Sequence, residues 1–192
     1  MPRLKHLAVA MTLTLLIAVS AHAQEPKPPV PAQYAATAFA QSGAAAGKSF
    51  GLTIYVDALT SNGERDELLG ILKQKGQSGL VDKFADMKDV GRVAPIGGVG
   101  TGMRFARMFP NKNGGTRIIM ATDRPISFPE LYQGTRSRDY PIGIIVLDVD
   151  KDGKGTGNFA PLCKVKFNKK GELEIENYGQ KPFRLANVYR EK

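Results

Sequence analysis

Lys164-Val165-Lys166-Phe167-Asn168-Lys169-Lys170-Gly171-Glu172-Leu173-Glu174-Ile175-Glu176 is the stretch of this 192-residue chain from which the fold is read most directly. Apolar and charged residues alternate on both sides of Lys169-Lys170-Gly171, the period of a strand with one buried face. With those three residues as the loop and Gly171 left-handed, Phe167 faces Leu173 and Val165 faces Ile175 inside. Lys166 then meets Glu174 and Lys164 meets Glu176 outside, as opposite charges across a sheet prefer. A slip of one residue sets lysines against core positions, so the register is determined.

Working outward, the same alternation recurs near residues 91–96, 102–109, 116–126, 140–149, 155–167 and 172–189, the last bent near 179–182. Upstream, Leu52, Ile54 and Val56 mark a strand over 50–59, and Tyr34 and Phe39 offer a short edge strand over 33–41. Between them the period changes. Ser61 and Glu64 form a capping box, Leu68, Leu69, Ile71 and Leu72 a helical stripe, and Gly76 a C-terminal cap. Leu80, Val81, Phe84 and Met87 repeat the stripe, which predicts two short helices in an antiparallel pair. Residues 128–134 read as a turn of helix or an irregular excursion. The expected fold is α+β: a mainly antiparallel, curved or barrel-like sheet with a two-helix insertion after the first strand.

Three segments divide the chain. Residues 1–23 have the form of a secretory signal, with Arg3 and Lys5, an apolar run from Leu7 to Val19, and Ala21-His22-Ala23 as the small-x-small cleavage site. Residues 24–32 are a Pro-rich tether and 33–192 a single α+β domain. The apolar run is shorter than the roughly 20 residues that cross a bilayer, so no membrane span is expected after cleavage near Ala23. The mature chain belongs in a periplasm or outside the cell.

Cleavage removes both histidines, and with them the usual general base at neutral pH and a common metal ligand. Cys163, the single cysteine, cannot form a disulfide within the chain, and it shares a face with Val165 and Phe167, as a small core residue does. The formal charge of +9 includes Arg3 and Lys5, leaving +7 for the mature chain. Arg92, Arg104, Arg107, Lys112, Arg117, Arg124, Arg136 and Arg138 face only Asp123 and Glu130 between residues 92 and 138. The planar guanidinium suits carboxylate and phosphate, so Arg104, Arg107, Arg117 and Arg124 are the candidate anion-binding residues.

Asp148, Asp150 and Asp152 have the opening spacing of a calcium loop and are the candidate metal ligands. Phe159 stands where that loop needs a bidentate Glu, and the flanks are strands. Asp152-Gly153 as a two-residue hairpin turn accounts for the same residues. The glycine-rich 97–102 and Gly47-Lys48-Ser49 both fall short of a phosphate loop and read as loops beside strands. Asp57, Glu64, Asp123 and Glu130 are scattered carboxylates with no paired spacing for catalysis. No pattern calls for a cofactor, and the aromatics are not interleaved with the arginines as an RNA-binding surface needs.

Two blocks carry a resemblance. The segment Gly115-Thr116-Arg117-Ile118-Ile119-Met120-Ala121-Thr122-Asp123-Arg124-Pro125-Ile126-Ser127-Phe128 and residues 173–185, Leu173-Glu174-Ile175-Glu176-Asn177-Tyr178-Gly179-Gln180-Lys181-Pro182-Phe183-Arg184-Leu185, resemble an uncharacterised family of exported bacterial proteins. The resemblance runs from about Tyr34 to the C-terminus and implies export and a shared fold, with no activity, cofactor or functional residue. The sequence therefore supports an exported, non-catalytic binding module whose partner is unknown, an anionic small molecule or protein being the candidate, and not nucleic acid. The alternatives are a small-molecule carrier with an apolar pocket inside a β-barrel and an enzyme using a carboxylate or Ser/Lys site.

Overall fold

The computed structural model describes residues 29–43, 45–112, 114–126, 139–178 and 181–191. The leader at 1–23, most of the tether and the excursion at 128–134 lie outside the described residues. The elements are β1 (Ala32–Phe39), β2 (Ser49–Val56), α1 (Asn62–Ala85), β3 (Gly91–Pro95), β4 (Thr101–Met103), β5 (Phe105–Pro110), β6 (Thr116–Thr122), β7 (Ile142–Val149), β8 (Lys154–Phe167), β9 (Leu173–Asn177) and β10 (Phe183–Arg190). The strands are ordered β4-β3-β2-β1-β10-β8-β7-β6-β5, with β9 on β8, and every pairing is antiparallel.

The two ends of that path are one piece of chain. β4 pairs with β3 and β5 with β6, and the run bends between them at Arg104, whose N–H donates to the Ala121 carbonyl at 2.9 Å. Beside this corner the Val90 N–H donates to the Met103 carbonyl at 2.8 Å and the Thr60 N–H to the Ala106 carbonyl at 2.9 Å. The sheet is thereby a nearly closed barrel, which leaves little free edge for unwanted pairing. With β4 and β5 as one strand and β9 off the ring, eight strands surround the axis. That number leaves an interior about wide enough for side chains to fill.

Alternation fills it. Tyr34, Ile54, Met108, Met120, Ile145 and Phe159 point inward and are buried, and Ala32, Ala36 and Ala38 of β1 make room for them. The coiling is tight enough that a Cβ on Gly155 of β8 would lie 1.9 Å from the Asp148 carbonyl oxygen, so only glycine fits there. A second core lies outside the ring, where Leu68, Leu72, Leu80 and Phe84 of α1 cover Ile144, Ala160, Cys163 and Val165. At about 1.5–3 kcal/mol per buried large apolar side chain, those four hold a helix that would be marginal alone.

The predicted register of the β8–β9 hairpin is observed: Phe167 pairs with Leu173, Lys166 with Glu174, Val165 with Ile175 and Lys164 with Glu176. Gly171 is left-handed at φ 78°. The inside of this hairpin is only half covered, because β9 lies beyond the ring: Val165 is buried under α1, whereas Leu173 and Ile175 remain 50% and 41% exposed. The Ser61–Glu64 capping box is present, with both reciprocal bonds formed, at 3.2 and 2.8 Å.

Two expectations are corrected. The insertion is one helical element, not two helices separated by a loop: two arms meet directly at a kink where Gly76 alone leaves helical geometry (φ 69°, ψ −166°). The kink is sharp: Lys83 and Glu67 meet at 2.7 Å, although 16 positions of straight helix would separate them by about 24 Å. The helix also follows the second strand. β1, expected as an edge strand at best, is a full member of the ring between β2 and β10, its alanines suited to the crowded interior.

Candidate functional site

The four candidate arginines do not converge. Arg104 sits at the barrel corner, where its guanidinium reaches Asp89 at 2.9 Å, Asp123 at 3.4 Å and the Met87 carbonyl at 2.8 Å. Arg124 lies beside it and pairs with the other oxygen of Asp123 at 3.1 Å. Burial pushes the Asp123 carboxyl up, but bonds from Arg124 and Thr122 hold it below its ordinary value. Arg107 is on the outer face of β5, donating to the Thr60 carbonyl at 2.9 Å and to Asn62 Oδ1 at 2.8 Å, so it ties the start of α1 to the ring. Arg117, on the outer face of β6, makes a bidentate pair with Asp148 of β7, both bonds 2.8 Å. The guanidiniums of Arg104, Arg107 and Arg117 thus hold parts of this chain together, whereas Arg124 pairs with its sequence neighbour and is 57% exposed.

The three aspartates of the calcium-like spacing also part company. Asp148 belongs to Arg117, while Asp150 Oδ1 accepts the N–H groups of Asp152 and Lys154, both at 2.9 Å, and Asp152 is exposed. No group of three metal-ligating side chains is assembled among the described residues. The turn is a three-residue loop over 151–153 with left-handed Gly153, in place of the two-residue turn expected. It matches the 169–171 loop, where Asn168 Oδ1 takes the N–H groups of Lys170 and Glu172. In both, an Asx side chain fastens a loop whose glycine relieves the left-handed strain.

The remaining candidates are structural in their contacts. Cys163 is fully buried, donates to the Ile142 carbonyl at 3.3 Å, and burial pushes its thiol up to about 12. Glu64 serves the capping box, Asp57 is exposed after β2, and Glu130 lies outside the described residues.

A different surface emerges at the end of the barrel where the β1–β2 and β3–β4 turns lie. In the β3–β4 turn, Ile96 and Val99 are 76% and 85% exposed, on a backbone otherwise of glycine with Gly97 and Gly100 left-handed. The turn is firmly placed: the Ile96 N–H donates to the Gly51 carbonyl at 3.2 Å, the Gly98 N–H to the Pro95 carbonyl at 2.9 Å, and Arg92 Nη1 to the Val99 carbonyl at 3.0 Å. Arg92 also stacks on Tyr55, its guanidinium carbon 4.4 Å from the ring centroid. On the next strands Phe39, itself partly exposed, pairs with Ser49 on one side and Arg184 on the other. Ser42 Oγ accepts the Lys181 N–H at 2.8 Å and Gln41 donates to the Pro182 carbonyl at 2.6 Å, which brings the link before β10 onto the same end.

Sequence reasoning missed this grouping because its parts are remote along the chain. Residues 29–56, 91–110 and 181–190 contain Lys48, Arg92, Arg104, Arg107, Lys181, Arg184 and Arg190 and not one Asp or Glu. The side covered by α1 is mixed, with Glu64, Asp66, Glu67 and Asp82 among its lysines. The available signal was a pair of large aliphatic residues inside a glycine-rich turn, outside any strand alternation. Compared with known proteins, the chain matches no protein-family model, no curated protein and no solved structure.

Proposed function

We propose that this chain is an exported, non-catalytic binding module that holds an anionic partner against the turn end of its barrel, with Gln24 as the first residue of the mature protein. One observation carries the reading: strands β10, β1, β2 and β3 and the β1–β2 and β3–β4 turns contribute cations and no Asp or Glu of their own, next to exposed apolar residues, the nearby carboxylates Glu191 and Asp89 reaching these strands at Gln33 and beside Arg104. An uncompensated patch of one sign raises the local concentration of counter-charged partners and guides their approach. The arginines of the 92–138 segment contribute less than their number suggests, since Arg104, Arg107, Arg117 and Arg124 are engaged within the fold.

The test is fluorescence anisotropy of a labelled sulfated oligosaccharide at low salt. Lys48→Glu with Lys181→Glu should weaken binding about tenfold or more, whereas the helix-side pair Lys73→Glu with Lys75→Glu, the same change in net charge, should weaken it by less than about threefold. Equal losses would reduce the effect to net charge and defeat the reading.

The carrier reading rests on a different observation. Tyr34 is fully buried inside the ring, and its hydroxyl has no hydrogen-bond partner among the described residues, as a hydroxyl awaiting a polar guest would. A thermal-shift screen against small amphipathic ligands tests it, since any guest that prefers the folded state raises the melting temperature.

A further inference from the structure

We propose that the anionic partner is a lipid bilayer surface and that the β3–β4 turn is the element that enters it, Ile96 and Val99 reaching the apolar boundary while Lys48, Arg92, Lys181 and Arg184 stay among the headgroups. The inference rests on the anionic-partner reading above and adds the identity of the partner and the point of contact.

Three features select a bilayer over an acidic protein. The two aliphatic side chains are the most exposed of the large hydrophobics in the described residues, and they belong to a turn, where Ile96 rests by one edge over Gly51 and leaves the rest of its surface open. A projecting apolar tip needs a shaped socket in a protein partner, whereas a fluid interface accepts it without one. Cations lie at the same end of the ring as the tip: Arg92 is bonded to the Val99 carbonyl, Lys48 immediately precedes β2, and farther along the end Arg184 of β10 is paired across from Phe39 and the Lys181 backbone is bonded into the β1–β2 turn. Long basic side chains beside an apolar tip suit a membrane interface, since they keep their heads wet while their stems lie in the apolar zone. The strand pairings that hold Ile96 to Gly51 make the tip rigid, so little ordering is lost on contact.

No helix among the described residues is long and apolar enough to cross a membrane, so the contact proposed is peripheral and reversible. Its strength should then depend on two signals together, the apolar tip and the surrounding charge. Removing either should release the protein.

The experiment is co-sedimentation of the folded protein with vesicles of 30% phosphatidylglycerol in phosphatidylcholine and with pure phosphatidylcholine, run beside the sulfated-oligosaccharide assay. Ile96→Ser with Val99→Ser should keep the wild-type melting temperature, because both residues are exposed. It should lose about tenfold or more of its affinity for the anionic vesicles and bind the oligosaccharide as before. Wild-type protein should bind pure phosphatidylcholine at least about tenfold more weakly than the anionic mixture. Unchanged vesicle binding by the serine variant, or oligosaccharide binding with no vesicle binding, would overturn the bilayer inference and leave the anionic-partner reading standing. Failure of the wild type to bind either ligand would end both.

Discussion

Replacing Tyr34 by Phe tests whether the barrel interior is dry and full. Tyr34 lies on β1 between Ile54 of β2 and Arg190 of β10, wholly buried, its hydroxyl unbonded among the described residues. A buried hydroxyl without a partner costs about 1–3 kcal/mol relative to one left in water. Deleting it removes that cost and leaves a void smaller than a methyl group, worth less than about 1 kcal/mol. Tyr34→Phe should therefore stabilise the fold by about 1–2 kcal/mol, or about 2–8 °C in Tm for a chain of this size. Urea titration and thermal melting followed by circular dichroism both read it. A second signature comes from pH. Burial pushes the Tyr34 hydroxyl above its ordinary value of 10.0, and the charge of Arg190 pulls it only part of the way back. Above about pH 10 the unfolded chain releases this proton while the folded one keeps it, so wild-type stability falls with rising pH by up to about 1.4 kcal/mol per unit. The Phe variant lacks that increment. A loss of stability of about 1 kcal/mol or more in Tyr34→Phe would refute the reasoning, because it would mean that the hydroxyl has a partner, and the carrier reading would lose the observation it rests on.

Other perturbations probe the corner, the turns and the outer core. Asp123→Ala leaves Arg104 and Arg124 without the carboxylate they share, itself only 9% exposed, and should cost about 2 kcal/mol by urea titration, below the ~3–5 of a fully buried pair. Since the Asp123 carboxyl is held below its ordinary 3.8, its contribution is present above that pH and is lost as the pH falls through the depressed value; an acid titration comparing wild type with Asp123→Asn reads this. Gly171→Ala, whose new methyl meets nothing within 4 Å, should cost only the left-handed strain of about 1 kcal/mol, whereas Gly153→Ala should cost about 2–3 because its methyl would lie 2.6 Å from Arg190 Cβ. Equal losses in chemical denaturation would mean that the turn at 151–153 is not packed against the end of β10. Cys163 should resist a thiol reagent at pH 8 until the chain unfolds, since burial pushes its thiol up to about 12; rapid native labelling would contradict the packing of α1 over β8.

Local pattern made the strands legible, and the β8–β9 register was readable because charge and apolarity agree there at every pair. The capping box was readable for the same reason, two residues at a fixed spacing serving each other's backbone. A barrel-like sheet was legible but the place where the ring closes was not, because residues 101–110 alternate as one strand and nothing local says that Arg104 hands the chain from β3 to β6. β1 was under-read because alanine is a poor strand former, while a crowded barrel interior wants small side chains beside Tyr34. For Leu173 and Ile175 alternation identifies a face without saying whether anything covers it; β9 lies beyond the ring and leaves both exposed. The arginine cluster misled for a related reason, since a count along the sequence cannot see that Asp89, Asp123 and Asp148 return to neutralise it. The grouping of strands that carry cations and no Asp or Glu of their own arises only when three distant stretches are folded next to one another.

Hydrogen exchange read by mass spectrometry, with and without phosphatidylglycerol-containing vesicles, tests the central claim, that a filled barrel binds through its turn end. The account predicts slower exchange in peptides covering residues 40–51 and 95–101, with α1 and the 150–154 turn unchanged. Slowing concentrated on α1 or the 150–154 turn, or confined to amides of the inward-facing residues of β6 and β7, would contradict it.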